Sequence, residues 1–243
     1  MQLLFRRNSF ENDLSSITNI LKLNGTEHDR VKKYLCDSFH IDLGTVKNKN
    51  YPELEEYITP FLRAEYENCE SVVLQKIELL QKEWNLIQHI VLSVFEKIFE
   101  RNYFQEEIFQ VNLSVNYVCP YNLEQRNFDI NYRKTVDEVL ESCIHELIHF
   151  YWFHKWEELF ESKYNEYQNL VWQFSEIAVD AIFKETELKG YLSSENPAHK
   201  YLYEIEVNNQ KLTDIIRRMF RENDIDGFMK KGIEFFISNR NSI

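Results

Sequence analysis

Apolar residues recur every three or four positions over most of this chain, the period of a helix with one buried face. On that basis helices are expected at 13–23, 28–39, 53–67 and 69–104, and, after an intervening stretch, at 169–187, 211–221 and 228–238. The longest of these, 69–104, places Val72, Leu79, Leu86, His89, Ile90, Phe95 and Ile98 near one side. Asn24-Gly25 and the stretch 43–52 read as loops. A different period appears in only one region. Val111, Leu113, Val115 and Tyr117 alternate with Asn112, Ser114 and Asn116, as in a half-buried strand. Cys119-Pro120-Tyr121-Asn122 ends it, and Phe128, Ile130 and Tyr132 alternate with Asp129, Asn131 and Arg133 in a second short strand. The pattern therefore predicts a predominantly helical α+β protein with a small sheet just before its central helix.

That central helix starts at Thr135-Val136-Asp137-Glu138, a capping box in which Thr135 and Glu138 would satisfy each other's backbone N–H groups. Asp137 and Glu138 in the first turn also suit the helix dipole. Leu140, Ile144, Leu147, Ile148 and Tyr151 follow at spacings of three and four and define its buried stripe.

Flanking the stripe is His145-Glu146-Leu147-Ile148-His149, an HExxH sequence. Positions i and i+4 of a helix lie one above the other, so both imidazoles can reach one metal ion. Glu146 projects to the flank of that ion, where it can take a proton without being a ligand. Zinc suits such a set because it takes nitrogen donors tetrahedrally and keeps a position open for water in catalytic sites. A third ligand is required. In the helix expected at 169–187, Trp172, Val179 and Phe183 bracket Glu176 on an apolar face, where a carboxylate is costly unless it is paired or binds a cation. Asp180, one turn on, is placed to accept the free ring N–H of a ligating histidine and fix its tautomer. The exchanged assignment, with Asp180 as ligand and Glu176 behind it, is also open at this point.

An HExxH followed on a second helix by Glu-x-x-x-Asp resembles the gluzincin branch of the zinc metallopeptidases, the thermolysin-like arrangement. The resemblance covers about residues 107–205 and rests on those short motifs. It implies His145, His149 and Glu176 as zinc ligands, Glu146 as the general base that activates a zinc-bound water, and Asp180 as the acid supporting a ligand. It further implies a zincin-like catalytic unit, a peptide or protein substrate, and a peptide-binding sheet edge in the strand before the HExxH helix. Such sites also carry a His or Tyr beyond the third ligand that stabilises the oxyanion, and His199, Tyr201 and Tyr203 are the candidates by order along the chain. The metzincin pattern HExxHxxGxxH is not met. Trp152 stands at its glycine, Lys155 at its third histidine, and His154 comes one residue early.

Composition narrows the picture. With 5 glycines and 4 prolines in 243 residues, long helices and few loops are expected. No Gly-, Ser- or Pro-rich linker appears, so the division is drawn near residue 105, between a helical region 1–105 and a catalytic region 106–243 with C-terminal helices. A net charge of −12 weighs against nucleic acid or an anionic membrane as partner. Cys36, Cys69, Cys119 and Cys143 form no CxxC pair, so neither a disulfide framework nor a zinc knuckle is expected. Glu222-x-Asp224-x-Asp226-Gly227 imitates the start of a calcium loop, but position twelve is Ile233, and a turn between helices is the better reading. The first residues carry no apolar run long enough for a signal peptide and nothing reads as a membrane span. A reduced cytoplasmic protein is the expectation, with export by a route that needs no cleaved signal left open. The functional expectation is a zinc-dependent metallopeptidase; the alternative is a catalytically inactive zincin-like module that binds or regulates.

Overall fold

A computed structural model describes residues 1–243 except Asn24, Thr26, Glu27 and Cys119. Parts of the expected loop at Asn24-Gly25 and one of the four cysteines therefore lie outside the described residues. The chain is α+β and mostly helical. It forms two compact units that interleave along the sequence. One consists of Gln2–Trp84 and Ile108–Val136; the other of Met1, Asn85–Glu107 and Asp137–Ile243. Each unit draws on chain from both sides of residue 105. Among the described residues no helix is long and apolar enough to cross a membrane.

The first unit contains the sheet. Its strands are β1 (Gln2–Arg7), β2 (Ile108–Ser114), β3 (Tyr121–Asn122) and β4 (Asn127–Asn131), in the order β1-β2-β4-β3. β1–β2 and β2–β4 are parallel and β3–β4 is antiparallel. Two expectations are corrected here. β1 was not anticipated. β4, the strand before the HExxH helix, is no sheet edge, because β2 pairs along one side while β3 pairs Phe128 and Asn127 on the other. The Asp129 amide on that side donates to the Pro120 carbonyl at 3.0 Å.

The sheet's polar positions are not solvated either. Helix α1 (Phe10–Lys22) brings Asp13, fully buried, to accept from Asn8 Nδ2 at 2.6 Å, Tyr66 Oη at 2.6 Å and Ser114 Oγ at 2.6 Å. Asn8 bridges from there to Asp129, which also accepts from Asn112 Nδ2 at 2.7 Å. Buried polar groups are tolerated when each finds a partner, and this network supplies them. Burial pushes the Asp129 carboxyl up to about 6, against the hydrogen bond from Asn112. The same unit holds α2 (Asp29–Ser38) and a short α3 (Leu43–Lys47), the latter inside the stretch expected to be a loop. Asp42 caps α3 by accepting from the Thr45 amide at 2.6 Å.

Where two helices were expected at 53–67 and 69–104 there is one, α4 (Tyr51–Phe99). Nothing between 61 and 99 is Gly or Pro, so nothing stops it. It ends where Glu100 turns left-handed, at φ 59°. Its buried stripe is Leu54, Ile58, Leu62, Cys69, Val73, Leu80, Trp84, Val91, Phe95 and Phe99. Of the residues expected near one side, Phe95 is buried while Val72, Leu79, Leu86 and Ile90 are exposed. The helix carries two apolar stripes about one residue apart in phase, and the one bearing Trp84, Phe95 and Phe99 is covered.

The second unit is built on α5 (Val136–Phe160) and α6 (Gln168–Glu185), followed by a two-stranded ribbon β5 (Glu206–Val207) and β6 (Gln210–Lys211), then α7 (Leu212–Arg221) and α8 (Ile225–Ser238). Leu140, Ile144, Leu147, Ile148 and Tyr151 of α5 are buried as the periodicity predicts, and so are Val139, Cys143, Phe150 and Trp152. A helix apolar on most sides belongs in the middle. Trp152 meets the rings of Phe174 and Phe228, with centroids 4.9 Å and 5.9 Å away, and Phe174 meets Phe236 at 5.1 Å. This aromatic block ties α5, α6 and α8 together. The would-be calcium loop is the turn before α8, whose N-cap Asp224 accepts from the Gly227 amide at 2.7 Å.

Candidate metal centre

Two helix rows build the site. Along α5, Glu141, His145 and His149 follow at intervals of four; along α6, Trp172, Glu176 and Asp180 do the same, so each set shares one face. The α5 row meets Glu176. His145 Nε2 and His149 Nε2 are 3.0 Å apart. Glu176 Oε1 lies 3.4 Å from His149 Nε2, and Oε2 lies 3.7 Å from His145 Nε2. One ligand atom from each of the three falls within 4.8 Å of the other two. An ion holding tetrahedral bonds of about 2.0–2.1 Å needs ligand atoms about 3.3–3.4 Å apart, so the donors stand close to the required edges.

Burial makes the arrangement costly without a cation. His149 is 1% exposed and Glu176 4% exposed, and Glu176 Oε2 accepts no hydrogen bond among the described residues. Burial opposes a charge on His149, yet its hydrogen bond to Glu176 and the charges of Glu176 and Glu146 outweigh that and raise its pKa. Burial likewise pushes Glu176 up, but His149, His145 and His199 together hold it below its ordinary value. The site attracts positive charge. Two neutral imidazoles and one carboxylate are also the donor set that zinc takes while leaving a position open. The residues present fit that ion.

The structure brings the remaining sequence candidates to different places. Glu146 is half-buried, next to His145 in sequence, and close enough for its charge to act on His149. Among the described residues, Asp180 meets no histidine through a hydrogen bond or an ion pair. It accepts from Tyr203 Oη at 2.8 Å and Arg217 Nε at 2.7 Å, and Lys184 Nζ lies 3.1 Å away. Of the two acids, Glu176 is the one that lies beside His145 and His149. Tyr203 is committed to Asp180 and to the Ala198 amide, which donates to its hydroxyl at 3.1 Å. Tyr201 is half-exposed, its ring 6.1 Å from that of His199. His199 comes nearest: Nε2 is 3.8 Å from Glu176 Oε2, and the ring packs 5.3 Å from that of Trp172.

Sequence reasoning missed Arg217, Lys184 and Glu141. The 8%-exposed Glu141 accepts from the Ser193 and Ser194 amides, at 2.7 Å and 3.1 Å, and from both hydroxyls. An acid one turn before His145, in the same i, i+4 row, was the available signal. No protein-family model, no curated protein and no solved structure matches this chain.

Proposed function

We propose that this protein is a zinc-dependent metallopeptidase of the gluzincin type, acting on a peptide or protein. The observation that carries the reading is the convergence of His145, His149 and Glu176 within 4.8 Å on two buried helices, with Glu146 next to the first ligand. His145 and His149 would hold zinc through Nε2 and Glu176 through its carboxylate. Bound there, zinc supplies a Lewis acid for the scissile carbonyl and brings the pKa of water toward neutrality. Glu146 takes the proton of the attacking water and passes it to the leaving amine. His199, on the Glu176 side of the site, donates to the carbonyl oxygen as it gains charge.

The test is Glu146→Gln, which keeps the shape of the side chain and removes its basicity. Zinc content and fold should match the wild type, while chelator-sensitive cleavage of a peptide substrate falls by about 10²–10⁴-fold. Cleavage at the wild-type rate removes Glu146 from the chemistry. One observation favours the alternative of a zinc-holding module without turnover: the strand expected to offer its edge to a peptide is already paired on both sides. Under that reading zinc binds, and no peptide in a broad library is cut.

A further inference from the structure

We infer that Glu141 and the Asp180–Tyr203 pair are positioning groups that fasten one strap, residues 192–203, to the two ligand-bearing helices and so hold His199 at the site. The fastenings lie at the ends of the strap. At its start, Ser193 and Ser194 each give a backbone N–H and a hydroxyl to Glu141. Toward its end, the Ala198 amide donates to Tyr203 Oη, which donates to Asp180. Glu141 is four residues before His145 in the α5 row, and Asp180 four residues after Glu176 in the α6 row. Each helix thus presents a ligand and an anchor from one face. His199 lies between the anchors, against Trp172 and Glu176.

The two anchors differ from ordinary surface contacts in their burial. Ser193 and Ser194 are exposed, whereas Glu141 is 8% exposed and Asp180 fully buried. A buried carboxylate is costly unless its lone pairs are filled, and at Glu141 the fillers are four donors from two consecutive loop residues. Arg217 and Lys184 complete Asp180 from α7 and α6. His199 itself, with 54% of its side chain exposed, has little packing of its own to hold it. Its position follows from the fastenings. The purpose given to that position rests on the metallopeptidase reading; the fastening does not.

The experiment uses the full chain in its metal-free form, so that its outcome is separate from that of the metal reading. Hydrogen exchange at the Ser193 and Ser194 amides and the NMR signals of the His199 ring are followed in Glu141→Ala, Glu141→Gln and the double variant Ser193→Ala/Ser194→Ala. The expected result for Glu141→Ala is exchange about 10-fold faster or more at both amides, from the loss of charge-assisted hydrogen bonds. The His199 ring signals should move toward those of a free, solvated histidine as the ring leaves Trp172. Glu141→Gln retains an accepting oxygen and should restore most of both. If Glu141→Ala loses its helical signal, the double serine variant, which keeps the buried acid and both amide donors and removes only the two hydroxyls, should show a smaller shift of the His199 signals in the same direction. Unmoved His199 signals in a folded variant overturn the inference. Zinc binding is then measured on the same proteins: failure of the wild type to bind zinc overturns the metal reading and leaves the strap result standing.

Discussion

Glu176 and Asp180 sit one turn apart on α6, both buried, yet they face different partners, and this decides what each substitution does. Glu176 meets His145, His149 and His199, whereas Asp180 meets Arg217, Tyr203 and Lys184. Glu176→Ala should therefore abolish zinc retention. Asp180→Ala should retain zinc within about 10-fold of the wild-type affinity. It should instead lose stability on the order of 3 kcal/mol, because Arg217 and Lys184 are left facing a buried vacancy. Zinc titration and urea denaturation of the two variants separate these outcomes; equal loss of zinc in both would refute the assignment. Protons compete for the same site. The pKa of His149 is raised above its ordinary value by Glu176 and Glu146, so its lone pair is lost earlier than a free histidine's as pH falls. Zinc affinity should be full at pH 8 and weaken steeply by pH 5.5. A flat profile between those values would show that His149 is not a ligand.

Among the elements, α8 meets α6 closely at a single glycine. A Cβ at Gly232 would lie 2.0 Å from Cζ of Phe174 and 2.6 Å from two more of its ring carbons. Phe174 is two residues before Glu176 and packs against Trp152, three residues after His149. Gly232→Ala cannot be absorbed by a flexible chain end, because the ring is buried on every side. It should cost about 1–3 kcal/mol and loosen the block behind the ligands. Gly190, with nothing within 4 Å of its Cβ position, is the control: Gly190→Ala should be neutral or stabilising by a few tenths of a kcal/mol, roughly as expected from a stiffer unfolded chain. Urea midpoints of the pair test this, and equal midpoints would refute the close packing.

At the scale of the whole molecule, a buried carboxylate makes stability depend on pH. In the unit holding the sheet, Asp129 has its pKa raised from 3.8 to about 6. Between those values the folded state holds the proton that the unfolded state has released. The stabilisation is complete below about pH 3.8 and is lost as pH rises through about 6. Hydrogen exchange of β2 and β4 should thus be slower at pH 4.5 than at pH 7 after correction for intrinsic rates. In Asp129→Asn this dependence should flatten, whatever the variant costs in absolute stability. A wild-type slope unchanged by the substitution would assign the effect elsewhere.

Local pattern was enough for much of this protein. The spacing of Leu140, Ile144, Leu147, Ile148 and Tyr151 located the inner helix and the His145–His149 row beside it, because a row four residues apart is a property of the helix alone. The apolar bracket around Glu176 likewise marked a buried acid before any fold was known. Where two local patterns were equally good, pattern could not choose. Helix α4 has two apolar stripes, and only one of them is covered: Val73 and Leu80 are buried while Val72 and Leu79 are exposed. β1 lies more than a hundred residues from the strand it pairs with, so its six residues carried no local signal of a parallel partner. The role of Asp180 was decided the same way. Its spacing from Glu176 is sequence, but its partners Tyr203 and Arg217 arrive from elements 23 and 37 residues downstream. Helical periodicity fixes which side chains share a face, since that depends on bonds four residues apart; only the tertiary structure decides what that face meets, since that depends on loop closure and burial over the whole chain.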